Sequence, residues 1–415
     1  MLEKRDIGEI GTTKMKKLLF IMDTFPVGGI AKSLLSLFNE IEGKYQIDFL
    51  IMEQEGLLIP LIPKSINILP EQLEREFRDP HPKRVFKNLK TLGVRRWVKW
   101  VGYSLSCCWA RLTGGLHKHI CAMDTYIGKH TKKIDKHYDA AIAYAGGRCI
   151  YYLVENVDAD VKIGYVHSDY LVNETDFMLY KADRKYYPYL DHIVTISQKC
   201  VDSLKQKFPD LADRCCVVEN ICSVKNIRNM AARGEGYMDG FDGFRISSLV
   251  RFDIYTKGLD LAVAATKILK DKGKNFRWYI LGDGEQRPSL EELIVENGIS
   301  EYFILLGAKV NPYAYLKDSD IYVQTSRIEG KSVSLDEAKA LAKPVVVTCF
   351  PSVFDQFEDG KTALIAEMTA EDVANKIEQL MEDEQLRNCL SKNLQAEKVG
   401  NEEQAQIFES LLETY

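Results

Sequence analysis

Short runs of apolar, often β-branched residues, each followed by a turn and then by apolar residues at helical spacing, recur along the whole chain. That alternation leaves few folds open. Strands that run parallel need a crossover of a dozen or more residues, and a helix supplies it. In the first half, strands are expected at Lys16–Met22, Gln46–Met52, Asp139–Tyr144, Lys162–His167, His192–Ser197 and Cys216–Asn220. After the first of these, Asp23 to Gly29 reads as a loop. Leu34, Leu35, Leu37, Phe38 and Ile41 then repeat at helical spacing, giving strand, glycine loop and helix. The pattern lapses over 224–243, a polar stretch containing Gly234, Gly236, Gly240 and Gly243, which reads as a linker.

A second series follows, with strands expected at Phe244–Val250, Phe276–Leu281, Tyr302–Leu306, Asp320–Thr325, Pro344–Thr348 and Ala363–Ile365. Helices lie between them, for example one carrying Leu259, Ala262, Ala265 and Leu269 on a single face and stopped by Gly273. The expectation is an α/β protein of two tandem domains, 15–223 and 244–390, each a parallel sheet covered on both faces. The charged residues 1–14 read as a mobile leader, and 391–415 as a C-terminal helix packed on one of the domains.

Several classes are excluded. No stretch approaches the ~20 uninterrupted apolar residues of a spanning helix, and the N-terminus has no apolar signal core, so secretion is not expected. The ten cysteines include the adjacent pairs Cys107-Cys108 and Cys215-Cys216 but no CxxC spacing. They are neither a disulfide framework nor a zinc signature, and read as buried free thiols in a reducing cytosol.

The net charge of −5 is unevenly spread. Segment 81–137 holds thirteen Lys or Arg against Asp124 and Asp135, a local charge of +11, so the remainder carries −16. Trp97, Trp100 and Trp109 lie in the same segment, and between Arg95 and Arg111 the cations interleave with Val98, Val101, Tyr103 and Leu105. A basic aromatic helix of this kind suits the headgroup region of an anionic membrane. Its other reading is an amphipathic helix whose aromatics enter the core. A nucleic-acid partner is not expected, because the patch comes with no recognition module.

The most informative block is Asp320–Thr348. Glu329 and Glu337 stand eight residues apart, across a loop containing Gly330 and into a helix. Backbone N–H groups around Ser332 and Val333 would point out of that helix's N-terminus, a natural seat for phosphate. A carboxylate at Glu337 could accept from both hydroxyls of a vicinal diol such as ribose. An ordinary solvated helix start explains the same acids. Upstream, Arg251 and Lys257 lie in the loop leaving the strand that starts at Phe244, at the sheet edge where α/β proteins bind ligands. They could clamp a diphosphate, or be plain surface cations.

Taken in order, Arg251 with Lys257-Gly258, Leu281-Gly282-Asp283-Gly284, Leu306-Gly307, and Glu329 with Glu337 resemble the retaining glycosyltransferases of family 4. The segment EGKSVSLDEAKALAKPVVVT is similar to their bacterial capsule and exopolysaccharide members. The likeness is good from Phe244 to Met381 and weaker over 16–52 and 160–222. It implies a GT-B fold, two Rossmann-like domains facing across a cleft, the first binding the acceptor and the second the nucleotide-sugar. It also implies that Arg251 and Lys257 hold the donor diphosphate, Glu337 the ribose and Glu329 the donor sugar. Gly330, Ser332 and Val333 would complete the donor loop, and the backbone near Lys309 would meet the base. Gly28 and Gly29 would let the first domain approach the phosphate or sugar. His167 would face the donor sugar; a lone His at a strand end is otherwise structural.

Two departures concern loop shape. Val250 stands where the family usually has Gly, and Lys331, Ser332, Val333 and Ser334 stand where a Gly often occurs. No DxD flanked by strand residues and no His/Cys cluster is present, so neither metal nor cofactor is expected. The cations and helix dipoles would neutralise the leaving diphosphate instead. The function implied is transfer of a sugar, with retention, from a nucleotide-sugar (UDP-sugar favoured) to a polyprenyl-diphosphate-linked saccharide in surface polysaccharide synthesis. The enzyme would be cytoplasmic and peripheral to the inner face of the cell membrane. The alternatives are a GT-B enzyme acting on a soluble substrate and a non-catalytic accessory subunit that recruits a partner to the membrane.

Overall fold

The computed structural model describes residues 15–71, 131–167, 170, 177–329 and 331–413, with seven isolated positions (98, 101, 102, 105, 108, 109 and 112). The first sheet comprises β1 (Lys17–Met22), β2 (Gln46–Ile51), β3 (Asn67–Ile68), β4 (His137–Ala143), β5 (Asp158–Val166), β6 (His192–Thr195) and β7 (Cys215–Val217). Its order is β3-β2-β1-β4-β5-β6-β7, parallel throughout. The second comprises β8 (Phe244–Leu249), β9 (Phe276–Leu281), β10 (Phe303–Gly307), β11 (Ile321–Gln324), β12 (Val345–Thr348) and β13 (Leu364–Ala366). It is ordered β10-β9-β8-β11-β12-β13 and is also parallel. In both sheets the winding direction reverses beside the first strand, between β1 and β4 and between β8 and β11. Connections leave in opposite directions there, opening a crevice at the C-terminal edge of the sheet.

Both faces of each sheet are covered, as the continuous apolar runs require. Leu18 and Phe20 of β1 enter one core and Leu19 and Ile21 the other. Trp278 and Ile280 part in the same way from Tyr279 and Leu281 on β9. Phe38 packs edge-to-face on Phe20 and on Phe49, with centroids 5.0 and 5.2 Å apart.

Two segments differ from expectation. Stretch 224–243, read as a linker, carries a helix, Val224–Arg233, whose Ile227 and Ala231 are buried with Tyr313 and Ala340 of the second domain. Its glycines begin only at the helix end, at Gly234. The expected C-terminal helix is two helices. Glu384–Ala396 buries Leu390 and Leu394 in the second domain. The chain then crosses back, and Gln404–Ser410 places Ala405 and Phe408 in the core of the first. Residues 1–14 and most of 81–137 lie outside the described residues. Among the described residues no helix is long and apolar enough to cross a membrane. The described cysteines are free, with Cys108 and Cys389 exposed rather than buried.

Candidate active site

The crevice of the second domain is built by two loops pressed together. Gly258 has φ +62°, and a Cβ there would lie 1.8 Å from the Thr325 carbonyl oxygen. Glycine therefore lets the loop after β8 lie directly against the loop after β11. This approach brings Lys257 to Glu329, with Nζ 2.7 Å from Oε1. The same oxygen accepts from Ser326 Oγ at 2.8 Å and Gln324 Nε2 at 3.1 Å. Ser352 Oγ donates to the Glu329 carbonyl at 3.0 Å. Glu329 is thus held through one carboxylate oxygen and its backbone, and none of the described hydrogen bonds reaches Oε2. Arg251 stands apart at the mouth, with its side chain 72% exposed and Asp253 3.7 Å away.

The helix Val333–Ala340 starts at Ser332, whose backbone N–H donates to Gln356 Oε1 at 3.2 Å and whose Oγ donates to Gln324 Oε1 at 3.0 Å. Its first residue meets the other domain. A Cβ at Gly29 would lie 3.5 Å from Val333 Cγ2, whereas one at Gly28 would meet nothing within 4 Å. The glycine loop after β1 and the helix start after β11 therefore face each other across the cleft. Gly330 lies outside the described residues.

One turn into this helix, Glu337 is buried at 2% exposure. Tyr313 OH donates to its Oε1 at 2.8 Å. Lys32, from the helix Gly29–Ile41 of the first domain, donates to Oε1 at 2.7 Å and to Oε2 at 2.9 Å. A buried carboxylate needs such partners to offset desolvation.

His167 follows β5. Its Nε2 lies 2.9 Å from the Tyr144 carbonyl oxygen, which can only accept, so Nε2 carries the proton. Nδ1 is then an acceptor, and it is buried without a described partner. Burial pushes the imidazole pKa down to about 4, against a smaller upward pull from that hydrogen bond. The ring is therefore neutral at physiological pH and can accept from a hydroxyl. Lys309 follows the edge strand β10, with Nζ 5.6 Å from the centre of the Tyr315 ring. No described contact joins it to Lys257, Glu329 or Glu337.

The structure thus unites Lys257 with Glu329, and Gly29 with Val333, while Arg251, Lys309 and His167 stand separately. Lys32, Tyr313 and Gln324 had escaped the sequence reading. A cation one turn after a glycine pair is the only sequence signal for Lys32. Among the described residues no group of three or more His, Cys, Asp or Glu side chains could hold a metal.

Solved structures share this architecture. TarM of Staphylococcus aureus, as a mutant in complex with Fondaparinux, alpha-GlcNAc-glycerol and UDP, aligns with TM-score 0.65 at 14% identity, over 96% of this chain and 100% of that one. HepE of Anabaena, in complex with UDP and glucose, aligns with TM-score 0.65 at 15% identity over the same shares. At such identities the likeness shows the fold: two Rossmann-like domains of the GT-B type. Residues 244–397, which hold the whole second sheet, match the family model described as Glycosyl transferases group 1.

Among relatives, the poly(ribitol-phosphate) alpha-N-acetylglucosaminyltransferase of Staphylococcus aureus is 26% identical over 54% of this chain and 44% of its own length. The N-acetylgalactosamine-N,N'-diacetylbacillosaminyl-diphospho-undecaprenol 4-alpha-N-acetylgalactosaminyltransferase of Campylobacter jejuni is 29% identical over 49% of this chain and 54% of its own. The chain spans about half the length of these relatives.

Proposed function

We propose that the chain is a retaining, metal-independent glycosyltransferase of family 4. It takes a nucleotide-sugar, UDP-sugar in preference, and transfers the sugar to a polyprenyl-diphosphate-linked saccharide in capsule or other surface polysaccharide synthesis. The observation that carries this reading is the placing of Lys257 and Glu329 at the switch point of a group 1 domain. Beside them the Ser332–Val333 helix start faces the Gly28–Gly29 loop. In this reading Lys257, the helix N-terminus and Arg251, swung inward from the mouth, neutralise the diphosphate. Glu337 takes the ribose hydroxyls, and Glu329 grips the sugar through Oε2. His167 accepts from a sugar hydroxyl through Nδ1, and the backbone near Lys309 meets the base. The bond from the sugar's anomeric carbon to the diphosphate breaks as the acceptor oxygen bonds to the same face. The acceptor proton passes to the departing phosphate oxygen, giving glycoside and nucleoside diphosphate.

The relatives' substrates support a lipid-linked acceptor, since the Campylobacter enzyme's name specifies an undecaprenol-diphosphate saccharide. Peripheral docking at the inner face of the cell membrane, through segment 81–137, is supported by its few described residues. Val98, Leu105, Trp109 and Leu112 are helical, spaced seven, four and three apart, and exposed.

Thermal unfolding with UDP, GDP, ADP and their sugar conjugates, with and without magnesium, tests the donor site. A ligand at a hundred times its Kd should raise Tm by roughly 5–11 °C. Glu337→Ala should abolish the rise, and no rise with any nucleotide would overturn the reading. Docking is tested by flotation with phosphatidylglycerol vesicles. The chain should float, and the double variant Trp109→Ser/Leu112→Ser should stay at the bottom.

A further inference from the structure

We infer that Lys32 is a latch across the cleft: it occupies the carboxylate that a nucleotide's ribose needs, and must release Glu337 before the nucleotide can seat. The inference rests on Glu337 being the ribose-binding group. A carboxylate offers about four lone-pair directions, two on each oxygen. On Oε1 one is taken by Lys32 and one by Tyr313; on Oε2 one is taken by Lys32. A single acceptor direction is left, whereas a vicinal diol needs two, one for each hydroxyl.

The arrangement is tight rather than incidental. Lys32 is 17% exposed and Glu337 2%, so the pair is screened far less than an ion pair at the surface. The ammonium also lies 5.3 Å from the centre of the Tyr313 ring. Because Lys32 belongs to the first domain and Glu337 to the second, the contact both joins the domains and blocks the seat. A second cross-domain pair, Lys331 with Glu219, lies nearby and does not touch Glu337. It separates the two effects, since breaking it loosens the domains without freeing the carboxylate.

The test is calorimetric titration with UDP, or with GDP or ADP if one of those binds, and with its 2′,3′-dideoxy analogue. Lys32→Met should bind the ribonucleotide about five- to tenfold more tightly than the wild type, since one charge-assisted contact no longer competes. Lys32→Gln should fall between the two. Neither should gain for the dideoxy analogue, and Glu219→Gln should stay within about twofold of the wild type. Unchanged or weaker ribonucleotide binding in both Lys32 variants overturns the latch, provided the wild type binds and Glu337→Gln does not. An equal gain for the dideoxy analogue also overturns it, because the effect would then come from domain loosening. If the wild type binds none of the three, or Glu337→Gln binds like the wild type, the ribose reading itself fails and the latch falls with it. Melting curves of each variant report whether it is folded.

Discussion

The Tyr144 carbonyl fixes the tautomer of His167, and burial sets the sign of that residue's contribution to stability. Its folded pKa, about 4, lies below the ordinary 6.5. The unfolded chain therefore binds the proton more readily, so the contribution is complete above the ordinary value and is lost as pH falls through the window between the two. The loss amounts to about 3 kcal/mol. Urea unfolding at pH 7.5, 5.5 and 4.5 should show the wild type losing more stability than His167→Gln by that order; parallel losses would refute it. For chemistry, Lys257→Ala and Glu329→Gln should each lower turnover at least about tenfold in a radiolabelled-sugar assay. The candidates legible in the sequence, such as Glu329 and Glu337, sit in short ordered motifs. Lys32 was invisible because its partner is 305 residues away, and only folding brings them together.

Elements carry the site through the way loops meet. Gly258→Ala would drive a Cβ into the Thr325 carbonyl at a backbone angle that disfavours side chains. It should cost over about 2 kcal/mol and separate Lys257 from Glu329. A melt with unchanged Tm and unchanged nucleotide affinity would contradict this. Most strands were legible because a strand covered on both faces is a continuous apolar run, as in FIM of β1 or VVV of β12. The exception, β3, is only Asn67 and the exposed Ile68, too short to form an apolar run. The helix Val224–Arg233 was missed because its buried stripe is only Ile227 and Ala231, narrow beside the glycines that follow.

At the scale of the whole molecule, the tandem of two doubly wound sheets could be read from the order of runs, but the return of the chain could not. Phe408 is fully buried 5.8 Å from the centre of the Phe20 ring, although it lies beyond the second domain in sequence. Phe408→Ala should destabilise the first domain by about 3–5 kcal/mol. Denaturant unfolding would check this, with second-domain hydrogen exchange left at wild-type rates. The two places where the chain passes between domains are sewn together. Asn401 Oδ1 accepts from the Cys222 N–H at 2.8 Å, its Nδ2 donates to the Asn220 carbonyl at 3.1 Å, and Glu402 Oε1 accepts from the Val224 N–H at 3.0 Å. Two bodies joined by one strand of chain can tumble freely, whereas two crossings pinned side by side define an axle. Any opening of the cleft is thereby steered toward a swing about that seam, which would bring the facing loops back together in one register.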